Sequence, residues 1–346
     1  MNDFDPDRYL PTSVLAELTE IRVRDPERIR RAAAARKRRG SVTRDGRLNL
    51  LAADHPARRV TAAGDSPLAM AHRGHLLARI LRVLAAPSID GIMASMDLLE
   101  DLLLLDDLLR EGGRAPLLDE RLLIPSLNRG GLAGTVWELD DPLTGPSPEA
   151  CVEWGMDGAK LLLRVADTDP ASLATLRFAA DSVTCLSRLG LSTFLEPLPV
   201  VREKGRWVVV AEAEALARLV GVAQALGESS RGTWLKLPYC TPFEPVAQAT
   251  TLPILLLGGG SRTTSTAFLT EIEAAFRAGP TVRGALAGRS VLFPTEGDPL
   301  TMAEAMGVLI HEDLSPAKAL ERGRALSESA DEQLAIAIPS NKESIR

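Results

Sequence analysis

The sequence has little cysteine, little histidine and no long apolar run, and each shortage argues against a class of protein. Its three cysteines, Cys151, Cys185 and Cys240, are too few for a disulfide framework. The four histidines form no set of metal ligands with a clear spacing, so we expect neither a metal nor another cofactor. The most leucine-rich stretch, residues 98–109, is broken by four acids and is too short to span a bilayer.

The charge balance and the first residues point away from nucleic acid and membranes. A net charge of −6 gives no basic surface for a phosphate backbone. The opening residues MNDFDPDRYLP lack the apolar core of a signal peptide. We therefore expect a cytoplasmic protein that binds neither nucleic acid nor membrane. With 346 residues, the chain is long enough for one large α/β barrel with extensions, or for two ordinary domains.

Residues 1–45 are predicted to form a charged helical extension. Asp25, Pro26 and Glu27 make a sound helix start, and the helix is expected to run through an arginine-rich stretch to Gly40. A basic helix could touch RNA, but no aromatic residue interleaves the arginines, which favours a solvated helix packed on the fold. Residues 313–346 are predicted as one further helix and a polar tail.

From residue 47 onward, short apolar runs alternate with helix-length segments. The runs are continuously apolar, as in parallel strands covered on both faces. They cover residues 47–54, 91–95, 121–127, 158–165, 192–200, 232–239, 253–260 and 284–292. The helix-length segments are 67–86, 97–112, 147–156, 170–189, 210–227, 242–250, 262–278 and 299–311.

Three of these helices have a predicted start, at Ser66-Pro67, Asp169-Pro170 and Thr241-Pro242, where a proline follows a capping residue. Eight strand–helix units in a row predict an α/β fold, a (β/α)8 TIM barrel over residues 46–312. A doubly wound open sheet is the competing fold, because counting strands cannot show closure. Residues 128–146 are too polar and glycine-rich for a helix, and we interpret them as a long loop that could cover an active site.

Lys236 is the most conspicuous polar residue in the predicted strands. It lies in the apolar sequence TWLKLPY, in a chain where six of 40 basic residues are lysine. In such barrels the chemistry lies at the carboxyl ends of the strands. Burial disfavours the ammonium form, so this lysine would have a lowered pKa and could act as a nucleophile. The alternative is a lysine at a strand edge that reaches solvent or pairs with an acid.

Lys160 and Glu196 lie on neighbouring predicted strands. If both side chains point into the barrel, they form an ion pair beside Lys236, because unpaired buried charges are costly. The carboxylate could then move protons during catalysis, although a purely structural ion pair fits equally well. Asp54 ends the first strand, where it could take a hydroxyl proton or cap a turn. His55 is either a substrate contact or a histidine that faces solvent.

Glycines at the ends of the last two predicted strands indicate a phosphate site. Gly259, Gly260 and Ser261 follow one strand, and Gly288 and Arg289 belong to the next. Loops at this place in barrels often bind phosphate through backbone N–H groups, although a tight turn is the alternative for the glycines. At the end of another strand, Arg164 is a further candidate for substrate binding.

The ordered motifs ADHPAR, GAKLLLRV, TFLEPLPV, TWLKLPY, ILLLGGGS and LAGRSV resemble a known enzyme family. They are similar to the class I (Schiff-base) aldolases of the tagatose-bisphosphate and archaeal-type fructose-bisphosphate group, and more distantly to deoxyribose-phosphate aldolase. The resemblance covers residues 45–312 and extends to a divergent actinobacterial subgroup linked to inositol catabolism. It implies that Lys236 is the Schiff-base lysine, that Asp54 and Glu196 are the acids of the site, and that Lys160 lies beside them. It also implies that Ser261, Gly288 and Arg289 bind phosphate.

The resemblance implies a metal-independent aldehyde-lyase of carbohydrate metabolism that acts on a sugar phosphate. The expected substrate is a phosphorylated ketose or a keto-sugar acid. Two alternatives stay open, namely a deoxyribose-phosphate-aldolase-like or transaldolase-like Schiff-base enzyme, and a non-catalytic barrel that binds sugar phosphates. Barrels of this type often assemble, so a homo-oligomer is possible.

Overall fold

Strands and helices alternate along the chain in the way that the apolar runs predict. The structure, a computed structural model, describes residues 4–258 and 264–336. Its strands are β1 (Leu48–Ala52), β2 (Gly91–Ala94), β3 (Leu122–Pro125), β4 (Gly158–Val165), β5 (Ser192–Glu203), β6 (Arg206–Val209), β7 (Thr233–Leu237), β8 (Ile254–Leu257) and β9 (Val282–Ala287). Its helices are α1 (Pro6–Tyr9), α2 (Thr12–Arg24), α3 (Glu27–Ala35), α4 (Arg73–Leu84), α5 (Met96–Glu111), α6 (Pro148–Glu153), α7 (Ala171–Arg188), α8 (Ala213–Ala223), α9 (Glu244–Gln248), α10 (Ser265–Ala278), α11 (Arg289–Leu292), α12 (Pro299–Glu312) and α13 (Pro316–Ser329).

Every strand except β6 belongs to a parallel sheet in the order β3-β2-β1-β9-β8-β7-β5-β4. The two ends of this sheet meet, because Ser126 after β3 bridges to Lys160 of β4 and the N–H of Leu127 donates to the Lys160 carbonyl at 3.0 Å. The side chain of Asn128 extends this pairing, since it accepts from the N–H of Leu162 at 2.8 Å and donates to its carbonyl at 2.6 Å. The predicted (β/α)8 barrel is therefore confirmed, and the doubly wound alternative is wrong.

The barrel interior changes from apolar to charged along the strands. Alternate side chains of each strand point inward. In the lower layers these include Leu50, Met93 and Leu286, together with Phe194 and Trp234, whose rings stack 6.3 Å apart. In the layer at the carboxyl ends the inward residues are charged, and this is the layer in which the sequence places its candidate site.

Several helix starts differ from the predictions. Helix α4 begins at Arg73 rather than after Ser66, because Ser66 pairs with Ala63 in a short bridge and the chain then turns. Helix α9 begins at Glu244, two residues beyond Pro242. The start of α7 lies one residue from the prediction, and the Asp169 carboxylate accepts the N–H of Ala171 at 2.9 Å.

The amino-terminal extension is helical as expected, but its last helix ends before the predicted end at Gly40. Helix α3 ends at Ala35, and the residues that follow bind the amino end of the barrel. Arg36 pairs with Asp157 at 3.0 Å, and Arg39 pairs with Asp90 at 2.9 Å, with both arginine side chains buried. The extended backbone beyond Ala35 lets these guanidinium groups reach the two acids that precede β4 and β2.

Helices α12 and α13 form the carboxyl-terminal part of the described chain. Gly323 of α13 approaches the carbonyl of Thr301 in α12 so closely that a Cβ at this position would collide with it. The buried ion pair between Arg82 and Asp298, at 2.7 Å, joins the start of α12 to α4. Within residues 4–258 and 264–336, no helix has the length and hydropathy that a membrane crossing requires.

Candidate active site

Four charged side chains from four strand ends form one connected chain of ion pairs. The Nζ atom of Lys236 lies 3.1 Å from Oε1 of Glu196, and the Nζ atom of Lys160 lies 2.7 Å from Oε2 of the same carboxylate. Lys160 is also 3.4 Å from Oδ2 of Asp54. The structure thus brings together the four residues that the sequence proposes as catalytic, and it contains the expected ion pair between Lys160 and Glu196.

The two lysines differ in their access to the cavity above them. A cavity of about 300 Å³, which we call the main cavity, opens at the carboxyl ends of the strands and is lined by Asp54, Glu196 and Lys236 among others. The side chain of Lys236 is 7% exposed, whereas that of Lys160 is 0% exposed and does not line the cavity. Of the two lysines, therefore, only Lys236 meets a molecule that enters the main cavity.

The lysines hold both acids in their ionised form. Burial opposes ionisation of Glu196, but Lys160 and Lys236 outweigh it and lower the pKa to about 2. Burial likewise opposes ionisation of Asp54, but the cations Arg129 and Lys160 hold its pKa well below the ordinary value. Burial lowers the pKa of Lys160 despite its two acidic partners. Both carboxylates are therefore ionised at neutral pH.

Asp54 receives its contacts through one carboxylate oxygen. The hydroxyl of Ser126 donates to Oδ2 at 2.7 Å, and Nη1 of Arg129 lies 3.2 Å from the same atom. The other terminal nitrogen of Arg129, Nη2, donates to the backbone carbonyl of Asp54 at 2.9 Å. The guanidinium fork thus fixes both the main chain and the side chain of Asp54.

His55 and Gly288 lie against each other at the edge of the main cavity. A Cβ atom at Gly288 would collide with Cε1 of His55 and would lie 2.7 Å from the carbonyl oxygen of Ala52, so only glycine allows this approach. Burial lowers the pKa of His55 to about 3, so the imidazole is neutral. Its Nδ1 atom is buried without a hydrogen-bond partner in the described residues. This neutral ring can serve a bound molecule as donor or acceptor.

Arg289 gives the main cavity a cation on the side of β8 and β9. It lines the cavity beside Gly258 and Gly288, and its Nε atom is buried without a hydrogen-bond partner among the described residues. Burial lowers the pKa of its guanidinium. A Cβ at Gly258 would collide with the hydroxyl of Ser290, so the glycine lets β8 end close to α11. The other predicted members of this phosphate site, Gly259, Gly260 and Ser261, lie outside the described residues.

Arg164 lies away from the main cavity and holds the long loop of residues 128–146. Its Nη1 donates to Glu138 at 2.8 Å, and its Nη2 contacts the carbonyls of Gly131 and Glu138 and lies 3.6 Å from Asp141. Arg58 joins this network through Glu138 at 3.1 Å. The structure therefore does not bring Arg164 together with the other predicted substrate contacts.

The site also contains Ser126, Arg129 and Arg58, for which no role was predicted from the sequence. Arg58 lies three residues after His55, and Ser126 and Arg129 lie at the end of the third apolar run. Their positions near the ends of predicted strands could have indicated a role in the site, because the active sites of such barrels lie at strand ends. No three metal-binding side chains come together in the part of the chain that the structure describes.

Comparisons with known proteins place the chain in a family. A family model described as Cgl0159-like matches residues 46–307. The solved structure of Cgl0159 from Corynebacterium glutamicum is 33% identical to the chain, covers 91% of this chain and 100% of its own, and superposes with a TM-score of 0.81. The chain therefore belongs to the Cgl0159-like family. No curated protein matches it.

More distant solved structures share the barrel. A fructose-bisphosphate aldolase from Slackia heliotrinireducens is 15% identical, covers 94% of this chain and 97% of its own, and has a TM-score of 0.60. An archaeal fructose-1,6-bisphosphate aldolase, solved with its catalytic lysine bound to a carbinolamine intermediate, is 19% identical, covers 82% and 99%, and has a TM-score of 0.55. These similarities confirm the expected resemblance to class I aldolases at the level of the fold.

Proposed function

We propose that this member of the Cgl0159-like family is a class I aldolase, which cleaves or forms a phosphorylated ketose or a keto-sugar acid through an imine on Lys236. One observation carries the proposal. The Nζ atom of Lys236 meets the main cavity at the carboxyl ends of the strands and lies 3.1 Å from the Glu196 carboxylate. An amine with a proton acceptor at this distance has the two groups that imine formation requires.

Imine formation would use Glu196 twice. Its carboxylate takes a proton from the Lys236 ammonium, and the neutral amine then attacks the substrate carbonyl carbon to give a carbinolamine. Glu196 returns the proton to the carbinolamine hydroxyl, water leaves, and a protonated imine remains. Glu196 stays beside Lys160 throughout, at 2.7 Å, so the carboxylate keeps one cationic partner when Lys236 is neutral.

Cleavage would use Asp54. The hydroxyl on the carbon β to the imine donates to this carboxylate, and as its proton moves to Asp54 the carbon–carbon bond breaks and an aldehyde leaves. The electron pair of that bond passes to the imine and leaves an enamine. The enamine carbon takes up a proton, which balances the one held by Asp54 once that carboxylate is ionised again, and hydrolysis of the imine by one water molecule releases the ketone product and restores Lys236. Arg129 and Ser126 keep Asp54 in place through Oδ2.

Arg289 supports a phosphorylated substrate. It faces the main cavity beside Gly258 and Gly288, which line the same side of the cavity. Its Nε atom, buried without a hydrogen-bond partner among the described residues, offers a charge-assisted hydrogen bond to a phosphate oxygen. We therefore infer that the phosphate lies on the β8–β9 side of Lys236.

Reductive trapping with product analysis tests this function. Borohydride is added with each member of a panel of ketose phosphates led by dihydroxyacetone phosphate, and products of the unreduced reaction are identified. An aldolase traps at Lys236, releases an aldehyde and keeps its activity with a chelator. A transaldolase-like enzyme traps but transfers the ketone fragment to an acceptor, and a non-catalytic binding barrel binds without any trapping.

A further inference from the structure

A second cavity lies beside the main cavity on the same face of the barrel. It has a volume of about 550 Å³ and is lined by Ala57, Ser95, Ser126, Arg129, Thr144 and Gly145 among others. We call it the β2–β3 cavity, because Ser95 follows β2 and Ser126 follows β3. The loop of residues 128–146 forms part of its wall. No step of the proposed mechanism so far uses this space.

The order of the strands around the barrel relates the two cavities. At the carboxyl end of the barrel, the strands follow one another in the order β8, β9, β1, β2, β3. The residues that come after these strands are, in the same order, Gly258, Arg289, Asp54, Ser95 and Ser126. A substrate whose phosphate lies at Arg289 and whose reacting hydroxyl lies at Asp54 extends from the end of β9 to the end of β1. The rest of its carbon chain then continues toward β2 and β3.

Ser126 and Arg129 join the two cavities at Asp54. Both side chains line the β2–β3 cavity, and both bind Oδ2 of Asp54, at 2.7 and 3.2 Å. Asp54 itself lines the main cavity. In the proposed cleavage, the carbon whose hydroxyl meets Asp54 becomes the aldehyde carbon. The β2–β3 cavity therefore begins where the aldehyde is formed.

The lining of the β2–β3 cavity combines apolar and polar residues. Met96 and Leu132 line it together with Ser95, Thr144 and Arg129, and the Nε atom of Arg129 is buried without a hydrogen-bond partner among the described residues. The carboxylate of Asp97, which also lines it, is paired with Arg73 at 2.9 Å. An oxygen atom of a bound chain would give the Arg129 donor a partner, and buried donors left unpaired are costly.

We propose that the β2–β3 cavity is the subsite for the aldehyde product and that it selects short aldehydes whose chain carries oxygen atoms. The proposal rests on the proposed aldolase function and adds to it a location and a chemical class for one of the two products. The ketone fragment stays on Lys236 in the main cavity, whereas the aldehyde leaves through the β2–β3 cavity.

A bulky side chain in the β2–β3 cavity tests the proposal. Ala57 is exposed and lines this cavity but not the main cavity, so we expect the Ala57→Trp side chain to fill the β2–β3 cavity and to leave Lys236 accessible. Val136→Trp, at an exposed position on the long loop that does not line the cavity, is the matched control. Condensation rates are measured with dihydroxyacetone phosphate and varied D-glyceraldehyde 3-phosphate. We expect Ala57→Trp to raise the KM for the aldehyde by about tenfold or more, and the control to leave it unchanged.

Borohydride trapping of dihydroxyacetone phosphate separates the two ways of failing. It needs only the ketone donor, so we expect it to be the same in Ala57→Trp and in the unchanged protein. An unchanged aldehyde KM with intact trapping would contradict the subsite alone. Absence of trapping in the unchanged protein would contradict the aldolase and the subsite together. If Ala57→Trp does not fold, Ser95→Leu serves instead, since Ser95 makes no side-chain capping bond to α5.

The chemical class of the aldehyde has its own measurement. The condensation activity of the unchanged protein is measured with D-glyceraldehyde and with propionaldehyde. Propionaldehyde has the same number of carbon atoms but no hydroxyl groups. We expect kcat/KM for glyceraldehyde to be higher by about tenfold or more, because propionaldehyde leaves the buried donors unpaired. Equal values for the two aldehydes would contradict the selection for oxygenated chains.

Discussion

The ammonium of Lys160 lies 2.7 Å from Oε2 of Glu196, at a depth where the lysine side chain is fully buried. The other oxygen of this carboxylate is 3.1 Å from Lys236. The Glu196 carboxylate is therefore the partner of two ammonium groups, and of these only Lys236 lines the main cavity. In this arrangement Lys160 stays buried beside the carboxylate, whereas Lys236 lies where it can form a bond to a substrate carbon.

Replacing Glu196 by glutamine should separate proton transfer from binding. The Glu196→Gln side chain keeps the shape but cannot accept the proton of Lys236, so we expect kcat for ketose cleavage to fall by about a hundredfold to ten-thousandfold. The free energy of unfolding should also fall, because two buried ammonium groups lose their shared partner. Steady-state kinetics and urea unfolding measure the two effects.

Glu228→Gln is the matched control for this change. Glu228 pairs with Arg188 at the surface, where the arginine side chain is 70% exposed, and solvent screening leaves such pairs with little effect on stability. We expect its kinetics and stability to match those of the unchanged protein. Full activity in Glu196→Gln would show that another group moves the proton.

Replacing Arg289 by methionine should weaken binding of phosphorylated substrates only. The cation faces the main cavity, and a charge-assisted hydrogen bond contributes about 1.5–3 kcal/mol. We expect the KM for a phosphorylated ketose to rise by about tenfold or more, and the KM for the unphosphorylated sugar to stay the same. Arg277→Met, on the exposed face of α10, is the control. An equal effect on both sugars would argue against a phosphate site here.

Arg164 should act on stability through the long loop. Arg164→Met removes the buried arginine from Glu138 and Asp141 and leaves Arg58 as the cation beside Glu138, and breaking a buried ion pair costs about 3–5 kcal/mol. We expect a lower midpoint of urea unfolding and faster proteolysis within residues 128–146. Arg188→Met, at the exposed pair described above, should leave the midpoint of urea unfolding nearly unchanged. Unchanged proteolysis would mean that other contacts hold the loop.

His311 gives the stability a pH dependence. Its Nδ1 lies 2.8 Å from Asp45 and its Nε2 lies 3.0 Å from Asp90, which also pairs with Arg39. Burial opposes the imidazolium, but the two carboxylates outweigh it and raise the pKa of His311. The stabilisation is therefore complete below the unfolded pKa of about 6.5 and is lost as the pH rises through the folded value.

The two carboxylates of this cluster give the stability the opposite pH dependence. The pKa values of Asp45 and Asp90 are lowered, despite burial, chiefly by hydrogen bonds from His311, so their contribution is lost as the pH falls through the folded values. We expect the free energy of unfolding to decline above neutral pH, and this decline to be smaller in His311→Gln. Urea unfolding across the pH range measures it. An identical decline in the variant would contradict this assignment.

The barrel could be predicted from the sequence because its strands are buried on both faces. Runs such as residues 91–94 and 253–257 are continuously apolar and recur with helix-length spacing. The closure of the barrel could be shown only by the structure. Strand β6 was missed because it pairs with β5 above the barrel, where side chains such as Val208 are exposed and carry no burial pattern. Ser66-Pro67 was misassigned because a proline after a possible cap also suits a turn.

The candidate site could be predicted where a residue conflicts with its surroundings. Lys160, Glu196 and Lys236 are charges inside apolar strands, so they stand out in the sequence. Arg129 and Arg58 lie in loops, where arginine is ordinary, and only the structure shows that they reach the main cavity. Arg164, like Lys160, is a charged residue in an apolar strand, and it was therefore predicted to contact the substrate. Its partners lie in the loop of residues 128–146, whose position cannot be predicted from the sequence pattern.

Trapping by peptide mass tests the central claim most directly. The protein is incubated with dihydroxyacetone phosphate or another member of the ketose phosphate panel, reduced with borohydride, digested and mapped. The account predicts one reduced adduct, on the peptide that contains Lys236, with none on the peptide of Lys160 and none in Lys236→Met. An adduct on Lys160, or no adduct with any member of the panel, would contradict it.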